Sequence, residues 1–77
     1  MKPNPASSPT GIRNNIRTLR FMASEMTQQD LADRIGVSRQ TLNAIEGGKY
    51  SPSLEVAFKI ALAFNKPLSE VFEYVGP

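Results

Sequence analysis

The chain is 77 residues long, contains neither cysteine nor histidine, and carries a formal net charge of +2. This length accommodates one domain with a small core. The missing residue types exclude disulfide bridges, thiolate or imidazole metal ligands, and histidine as a general base, so we do not expect an enzyme. Charges interrupt every apolar run before it reaches the ~20 residues of a membrane span, and no apolar signal segment is present. We therefore expect a cytoplasmic protein without membrane association, cofactor, metal or small-molecule ligand.

The positive charge is concentrated near the N-terminus. Residues 1–20 contain no acidic residue but four basic ones: Lys2, Arg13, Arg17 and Arg20. Such a cluster is typical of a surface that meets a polyanion. On charge alone, a solvated helix face with uneven charge is an equally good interpretation.

Residues 1–11 are predicted to be a disordered N-terminal arm, and residues 12–77 the folded domain. The first ten residues contain three prolines and two serines and no apolar periodicity, which is typical of disorder. The arm is either a passive extension or a segment whose Lys2 touches DNA, and we favour the passive interpretation.

The first predicted helix, helix 1, covers about residues 12–23, where apolar residues recur at helical spacing: Ile12, Ile16, Leu19 and Ala23. A basic stripe follows one residue later, formed by Arg13, Arg17 and Arg20. Helix 4, about residues 54–64, is apolar on nearly all sides and should be the central buried helix. A short helix 5 is expected at about residues 69–74. No segment indicates a strand, so the predicted fold class is all-α.

Two short capped helices lie between helices 1 and 4. Thr27 is a suitable N-cap for helix 2, residues 28–35, because an aspartate follows three positions later in a capping box. Gly36 suits the left-handed position after its end, and Ser38 caps helix 3, about residues 39–46. Two capped helices joined through a glycine turn form a helix-turn-helix, which leaves the outward face of helix 3 exposed.

That outward face has the composition that a DNA major groove requires, namely Arg39, Gln40, Asn43 and Ala44. Arginine pairs with guanine, glutamine and asparagine pair with adenine, and alanine contacts the thymine methyl group. The hydroxyls of Ser38 and Thr41 suit phosphate oxygens, as do the Gln28 side chain and the free N–H groups that begin helix 2. The alternative is a polar face that is simply solvated, which the turn and the two caps make less favoured.

Lys49 follows the pair Gly47–Gly48 at the end of helix 3. It is either a solvated loop lysine or a cation that approaches a phosphate together with backbone N–H groups of the glycine turn. We favour the phosphate contact.

Residues 27–61, TQQDLADRIGVSRQTLNAIEGGKYSPSLEVAFKIA, resemble the Cro/repressor-type (Xre) helix-turn-helix family, in particular its small stand-alone regulators. Thr-Gln-x-x-Leu-Ala, Gly-Val-Ser and Ile-Glu-x-Gly-Lys fall at the family's spacing, and the likeness covers about residues 12–73. The resemblance implies a five-helix, lambda-repressor-like domain with helix 3 as the recognition helix. It implies base contacts by Arg39, Gln40, Asn43 and Ala44, and phosphate contacts by Gln28, Ser38, Thr41 and Lys49.

The resemblance also implies a structural role for Glu46, at a position that commonly pairs with an arginine of helix 1. Arg17 and Arg20 are both candidates. The segment between Arg20 and Gln28 is one residue longer than in many relatives and lacks their usual glycine, so the register of helix 1 stays open.

These observations predict a sequence-specific transcriptional regulator, and a repressor in particular, that inserts helix 3 into the major groove of a palindromic operator. A homodimer is expected on double-stranded DNA. Its interface is predicted in the apolar C-terminal segment, formed by Leu68, Val71, Phe72, Tyr74 and Val75. The alternative function is an antitoxin-like module that binds a partner protein and autoregulates its operon.

Overall fold

A computed structural model describes residues 10–76. The elements, in chain order, are β1 (Ile12–Asn14), α1 (Ile16–Met22), α2 (Gln28–Ile35), α3 (Arg39–Glu46), α4 (Leu54–Phe64), α5 (Leu68–Val71) and β2 (Phe72–Tyr74). The domain is mainly helical with five helices, as predicted. Over residues 10–76, no helix has the length and apolar character needed to cross a membrane.

Two short strands depart from the prediction that no segment forms a strand. β1 and β2 pair antiparallel, with Arg13 opposite Glu73 at the centre of the register. The predicted start of helix 1 and end of helix 5 are therefore wrong. Each segment satisfies its backbone hydrogen bonds with a partner some sixty residues away, which helical periodicity within one window cannot reveal.

The strand pairing continues to Gly11. Its carbonyl oxygen accepts hydrogen bonds from the backbone N–H groups of Val75 at 2.9 Å and Gly76 at 3.3 Å. Gly11 has a φ of +70°, and a Cβ atom there would lie 3.1 Å from the Gly76 carbonyl oxygen, so only glycine fits without strain. Thr10 and Gly11, which the prediction assigned to the arm, thus belong to the folded part. The remainder of the predicted arm, residues 1–9, lies outside the described residues.

The helix-turn-helix forms as predicted, with α2 and α3 at the predicted bounds. The Thr27 hydroxyl oxygen accepts from the Asp30 N–H at 2.9 Å, and the Asp30 carboxylate accepts from the Thr27 N–H at 3.1 Å. The bond from the Thr27 backbone N–H to the carboxylate is the largest cause of a lowered pKa of the Asp30 carboxyl. Gly36 ends α2 with a φ of 76°, in the left-handed region. The Ser38 side chain then caps α3 by accepting from the Thr41 N–H at 3.0 Å.

Nine residues form one core cluster: Ile16, Leu31, Ala32, Ile35, Leu42, Ile45, Ile60, Ala61 and Val71. Every helix contributes at least one of them, so this cluster holds α3 against the rest of the domain. Val71 is 1% exposed. Its predicted place in a dimer interface is wrong, because the monomer's own core already covers it.

The prediction that α4 is the central buried helix is also wrong. Only its inner side is buried, at Ala57, Ile60 and Ala61. Three large apolar side chains stand on another side at four-residue intervals, and we call them the α4 stripe: Leu54, Phe58 and Leu62, with exposures of 68%, 49% and 76%. A domain this small has no second layer of helices to cover that side.

Candidate nucleic-acid interface

The start of α1 is tied to the end of α3 by Asn14. Its Nδ2 atom donates to the Ile45 carbonyl at 3.1 Å and the Glu46 carbonyl at 3.3 Å, and its Oδ1 atom accepts from the Ile16 N–H at 3.1 Å. The last carbonyls of a helix have no partner within the helix. Asn14 therefore satisfies the end of α3 and holds it beside α1.

The two sides of α3 differ as the sequence predicts. Leu42 and Ile45 are buried, with exposures of 0% and 2%. The predicted base-contacting and phosphate-contacting residues of α3 and its cap are exposed or half-buried: Ser38, Arg39, Gln40, Thr41, Asn43 and Ala44. The polar edge of α3 thus faces solvent, while the buried side of the helix and its Ser38 cap hold the helix in place.

An ion pair joins α1 to the end of α3. Arg20 donates to both carboxylate oxygens of Glu46, from Nε at 2.8 Å and from Nη2 at 3.1 Å. Arg20 also donates from Nη1 to the Met26 carbonyl at 2.9 Å. The two side chains are only 14% and 8% exposed. The structure therefore selects Arg20 over Arg17 as the partner of Glu46, and this pair has a structural role, as the resemblance implied.

A polar concavity of about 580 Å³ lies beside α3. It brings together four predicted contact residues from α2, α3 and the following turn, and its lining comprises Arg17, Arg20, Gln28, Asn43, Ala44, Glu46, Gly47 and Lys49. Glu46 balances the charge of Arg20. The unbalanced positive charges of the lining are therefore Arg17 and Lys49.

Arg17 lines the concavity, although it was not among the predicted DNA contacts. The basic stripe of the predicted helix 1 contained the signal, but the structure places Arg13 in β1, and the three arginines have different partners. Arg13 pairs with Glu73, at 3.8 Å from Nε to Oε1, and Arg20 pairs with Glu46. Within residues 10–76, no acidic side chain pairs with Arg17, so its charge is left to face the concavity.

The Gln28 side chain links α2 to α3. Its Nε2 atom donates to the Asn43 Oδ1 atom at 3.1 Å and to the Glu46 Oε1 atom at 3.2 Å. Because a side-chain amide has only two N–H protons, these bonds engage both of them. The Asp30 N–H is taken up by the Thr27 cap, so the backbone N–H groups of Gln28 and Gln29, which have no intrahelical acceptor, are the remaining donors at this end of the helix.

Ser38 and Thr41, whose hydroxyls were both predicted to contact phosphates, differ in whether the hydroxyl proton is free. The Ser38 Oγ atom accepts from the Thr41 N–H and donates to the Thr41 Oγ1 atom at 2.9 Å. The proton of Ser38 is therefore engaged within the cap. The Thr41 hydroxyl keeps its own proton for an outside acceptor.

A capped α2, a left-handed Gly36 and an α3 with a solvent-facing polar edge together define a helix-turn-helix DNA-binding domain. The helix-turn-helix family model matches residues 16–71. This chain therefore belongs to the helix-turn-helix family of transcriptional regulators, of the Cro/repressor (Xre) type. It binds double-stranded DNA and is not an enzyme.

Individual relatives agree with this assignment. The chain is 48% identical over 63 residues to an HTH-type transcriptional regulator of Methanocaldococcus jannaschii, covering 82% of this chain and 94% of the relative. It is 36% identical over 58 residues to the cryptic phage CTXphi transcriptional repressor RstR of Vibrio cholerae, covering 75% and 51%. Its fold resembles that of the restriction-modification controller protein C.AhdI from Aeromonas hydrophila, with a TM-score of 0.64 and 31% identity over 71% and 82% of the two chains.

Proposed function

We propose that this regulator is a repressor that binds a palindromic operator as a homodimer, with α3 in the major groove. The observation that carries the proposal is the exposed edge of α3 beginning at Arg39 and Gln40, held in place by the buried Leu42 and Ile45. A dimer bound across a promoter excludes polymerase by occupancy alone. The name of RstR, a transcriptional repressor, supports the same direction of regulation.

The base contacts are assigned to four residues of α3. Arg39 and Gln40 stand at the start of the helix, where a recognition helix enters the groove, and Asn43 and Ala44 lie one turn further. A spacing of four residues is about 6 Å along the axis, close to two base-pair steps. Each half of the dimer therefore reads a few adjacent base pairs, with half-site centres on the order of 34 Å apart.

The phosphate contacts are assigned to the rim of the concavity and the start of both helices. Lys49 and Arg17 supply the positive charge, with Arg17 added to the residues that the sequence singled out. Thr41 contributes its hydroxyl proton, whereas Ser38, whose proton is engaged with Thr41, supports the contact by capping α3. The position of Gln28 contributes chiefly its backbone N–H, because its side-chain donors are engaged.

Arg39→Ala and Lys49→Ala should weaken DNA binding in different ways. Arg39→Ala should cost about 1–3 kcal/mol on a duplex selected from a random pool and relax the preference at one base position. Lys49→Ala should weaken binding to selected and random duplexes alike and reduce the salt dependence by about one unit. Fluorescence anisotropy across a salt series measures both effects.

Lys66→Ala is the matched control, because this exposed lysine lies after α4 and does not line the concavity. It should leave the affinity for the selected duplex and its salt dependence near those of the unmodified protein. Equal behaviour of Arg39→Ala and Lys49→Ala on the two kinds of duplex would contradict the division of roles.

The homodimer is assigned to the C-terminal segment without Val71. Leu68, Phe72 and Val75 are half-buried, and Tyr74 is 73% exposed. An apolar depression of about 500 Å³ includes Leu68, Phe72 and Tyr74 in its lining. A shallow apolar surface with a protruding aromatic ring is suited to an isologous contact, in which each copy's ring meets the other copy's depression.

Tyr74→Glu should convert the dimer to a monomer, because it places a charge at the centre of this contact. Sedimentation velocity measures the change, and a thermal melt verifies that the variant is folded. Leu62→Glu, in the α4 stripe, is the matched control and should leave the dimer intact. The reverse pattern, with only Leu62→Glu monomeric, would place the interface on α4 instead.

A further inference from the structure

β1 and β2 form a two-stranded sheet, and the hydrogen bonds at its ends determine which backbone groups face which strand. At one end, the Val75 N–H donates to the Gly11 carbonyl at 2.9 Å. At the other end, the Asn15 N–H donates to the Val71 carbonyl at 2.9 Å. In an antiparallel pair, every second residue exchanges hydrogen bonds with the partner strand, and the residues between them point their N–H and C=O groups outwards. The odd-numbered residues from 71 to 75 therefore face β1, and the even-numbered residues face the outer edge of β2.

The outer edge of β2 is open at Tyr74. Its N–H and C=O groups point away from β1, and no hydrogen-bonding partner for either group lies within residues 10–76. The other outward N–H of the strand, that of Phe72, donates to the Leu68 carbonyl in α5. Tyr74 is 73% exposed, which leaves this part of the edge open to solvent. One strand edge thus presents an unpaired donor and an unpaired acceptor on the same residue.

The outer edge of β1, in contrast, is closed by the chain itself. The Thr10 hydroxyl accepts from the Ile12 N–H at 3.1 Å and donates to the Ile12 carbonyl at 3.4 Å. Ile12 lies opposite Tyr74 in the register, so the equivalent position is covered on one strand and open on the other. Unpaired strand edges are the places where a sheet takes up a further strand. The sheet can therefore grow at Tyr74 and not at Ile12.

We propose that the β2 edges of two copies pair antiparallel about a two-fold axis at Tyr74, so that their two-stranded sheets join into one sheet of four strands. This inference rests on the proposed homodimer and specifies the contact that aligns its two copies. The Tyr74 N–H of each copy donates to the Tyr74 carbonyl of the other. That exchange is reciprocal, as an isologous contact requires.

The side chains around this edge favour a second copy as the added strand. Ile12, Phe72 and Tyr74 share one face of the sheet, because opposite residues and every second residue of a strand lie on the same face. All three line the apolar depression assigned to the dimer. A second copy added at this edge continues that face and brings its own Tyr74 ring beside the first. The backbone pairing and the apolar contact therefore form one continuous interface.

The test separates the Tyr74 backbone N–H from the Tyr74 ring by comparing Tyr74→Pro with Tyr74→Ala, its matched control. Both variants lose the ring, but only proline lacks the N–H. Proline is tolerated in an edge strand where the missing N–H faces outwards, so both variants should fold, which thermal melts verify. Tyr74→Pro should dimerise about tenfold or more weakly than Tyr74→Ala, because each dimer loses two hydrogen bonds. Sedimentation velocity over a concentration series measures both dissociation constants.

A second measurement uses the unmodified protein and decides alone if Tyr74→Pro is unfolded. In a mixture of isotopically labelled and unlabelled copies, an intermolecular nuclear Overhauser effect should connect the Cα–H of Glu73 with the Cα–H of Val75 of the second copy. These two residues lie opposite each other in the proposed pair without exchanging hydrogen bonds, an arrangement that brings their Cα atoms to about 4.5 Å.

Equal dissociation constants for the two variants, or a dimer without the Overhauser effect between Glu73 and Val75, would overturn the pairing at β2 and leave the homodimer standing. Failure of the proposed homodimer gives a different result. In that case, the unmodified protein would sediment as a monomer at every concentration.

Discussion

Replacing Glu46 with alanine should lower the free energy of unfolding by about 3–5 kcal/mol, because it leaves the buried charge of Arg20 without a counter-charge. Arg20 is 14% exposed, so water cannot solvate it freely. Gln28 also loses one of its two acceptors. A chain of 77 residues has a total stability of roughly 4–12 kcal/mol. The variant should therefore unfold at a much lower urea concentration, which circular dichroism would follow.

Two further variants make this expectation specific to the buried pair. Glu55→Ala removes the exposed pair with Lys59, whose atoms are 3.4 Å apart, and should cost no more than about 0.5 kcal/mol. The double variant Arg20→Met with Glu46→Leu removes both buried charges and should recover most of the loss. If Glu46→Ala were no more costly than Glu55→Ala, the pair would not be what holds α1 to the end of α3.

The helix-turn-helix was predictable because its signals are local. Thr27, Gly36 and Ser38 each act on the backbone within three or four residues of themselves. A side chain that caps a helix does so wherever the helix later packs. The bounds of α2 and α3, and the exposed edge of α3, therefore follow from the sequence before any tertiary contact is known.

The strands were not predictable in the same way. β1 and β2 have three residues each, too few to display an alternating pattern. Their pairing depends on the two ends of the domain meeting. The Asn14 bonds to the end of α3 are likewise a long-range contact, because they form only once the start of α1 lies beside the end of α3.

The exposed side of α4 shows a second limit of prediction from sequence. The apolar character of Leu54, Phe58 and Leu62 predicts that they avoid water, but it does not say whether the same chain supplies the cover. In this domain it does not, and the α4 stripe stays exposed.

The individual side-chain contacts of the site were also beyond prediction from sequence, because they depend on how the helices pack. Helical spacing placed Arg17 and Arg20 on the same basic stripe, and only the packing of α1 decides which of them reaches Glu46. The bond from Gln28 to Asn43 likewise depends on the angle between α2 and α3. The sequence thus predicts which residue types surround the site, whereas their pairing, and the donors that remain for DNA, follow from tertiary structure.

Leu42→Ala should lower the free energy of unfolding by about 2–5 kcal/mol, because it leaves a cavity where α3 meets the core. Leu42 is fully buried, whereas Gln40, two positions earlier on the same helix, is exposed. Gln40→Ala should change stability by no more than about 0.5 kcal/mol. It should instead weaken binding to the selected duplex, since it removes a base-reading side chain.

The effect of added DNA on thermal stability should further distinguish Leu42→Ala from Gln40→Ala. Folded Leu42→Ala keeps every side chain of the polar edge, so the selected duplex should rescue it. A duplex at 100 times its dissociation constant adds about 2.7 kcal/mol to the stability of the folded state. Thermal melts with and without duplex should therefore show a large recovery for Leu42→Ala and a smaller upward shift for Gln40→Ala than for the unmodified protein. A Leu42→Ala variant that stays unfolded with saturating duplex, while Gln40→Ala binds normally, would mean that the outer side of α3 does not carry recognition.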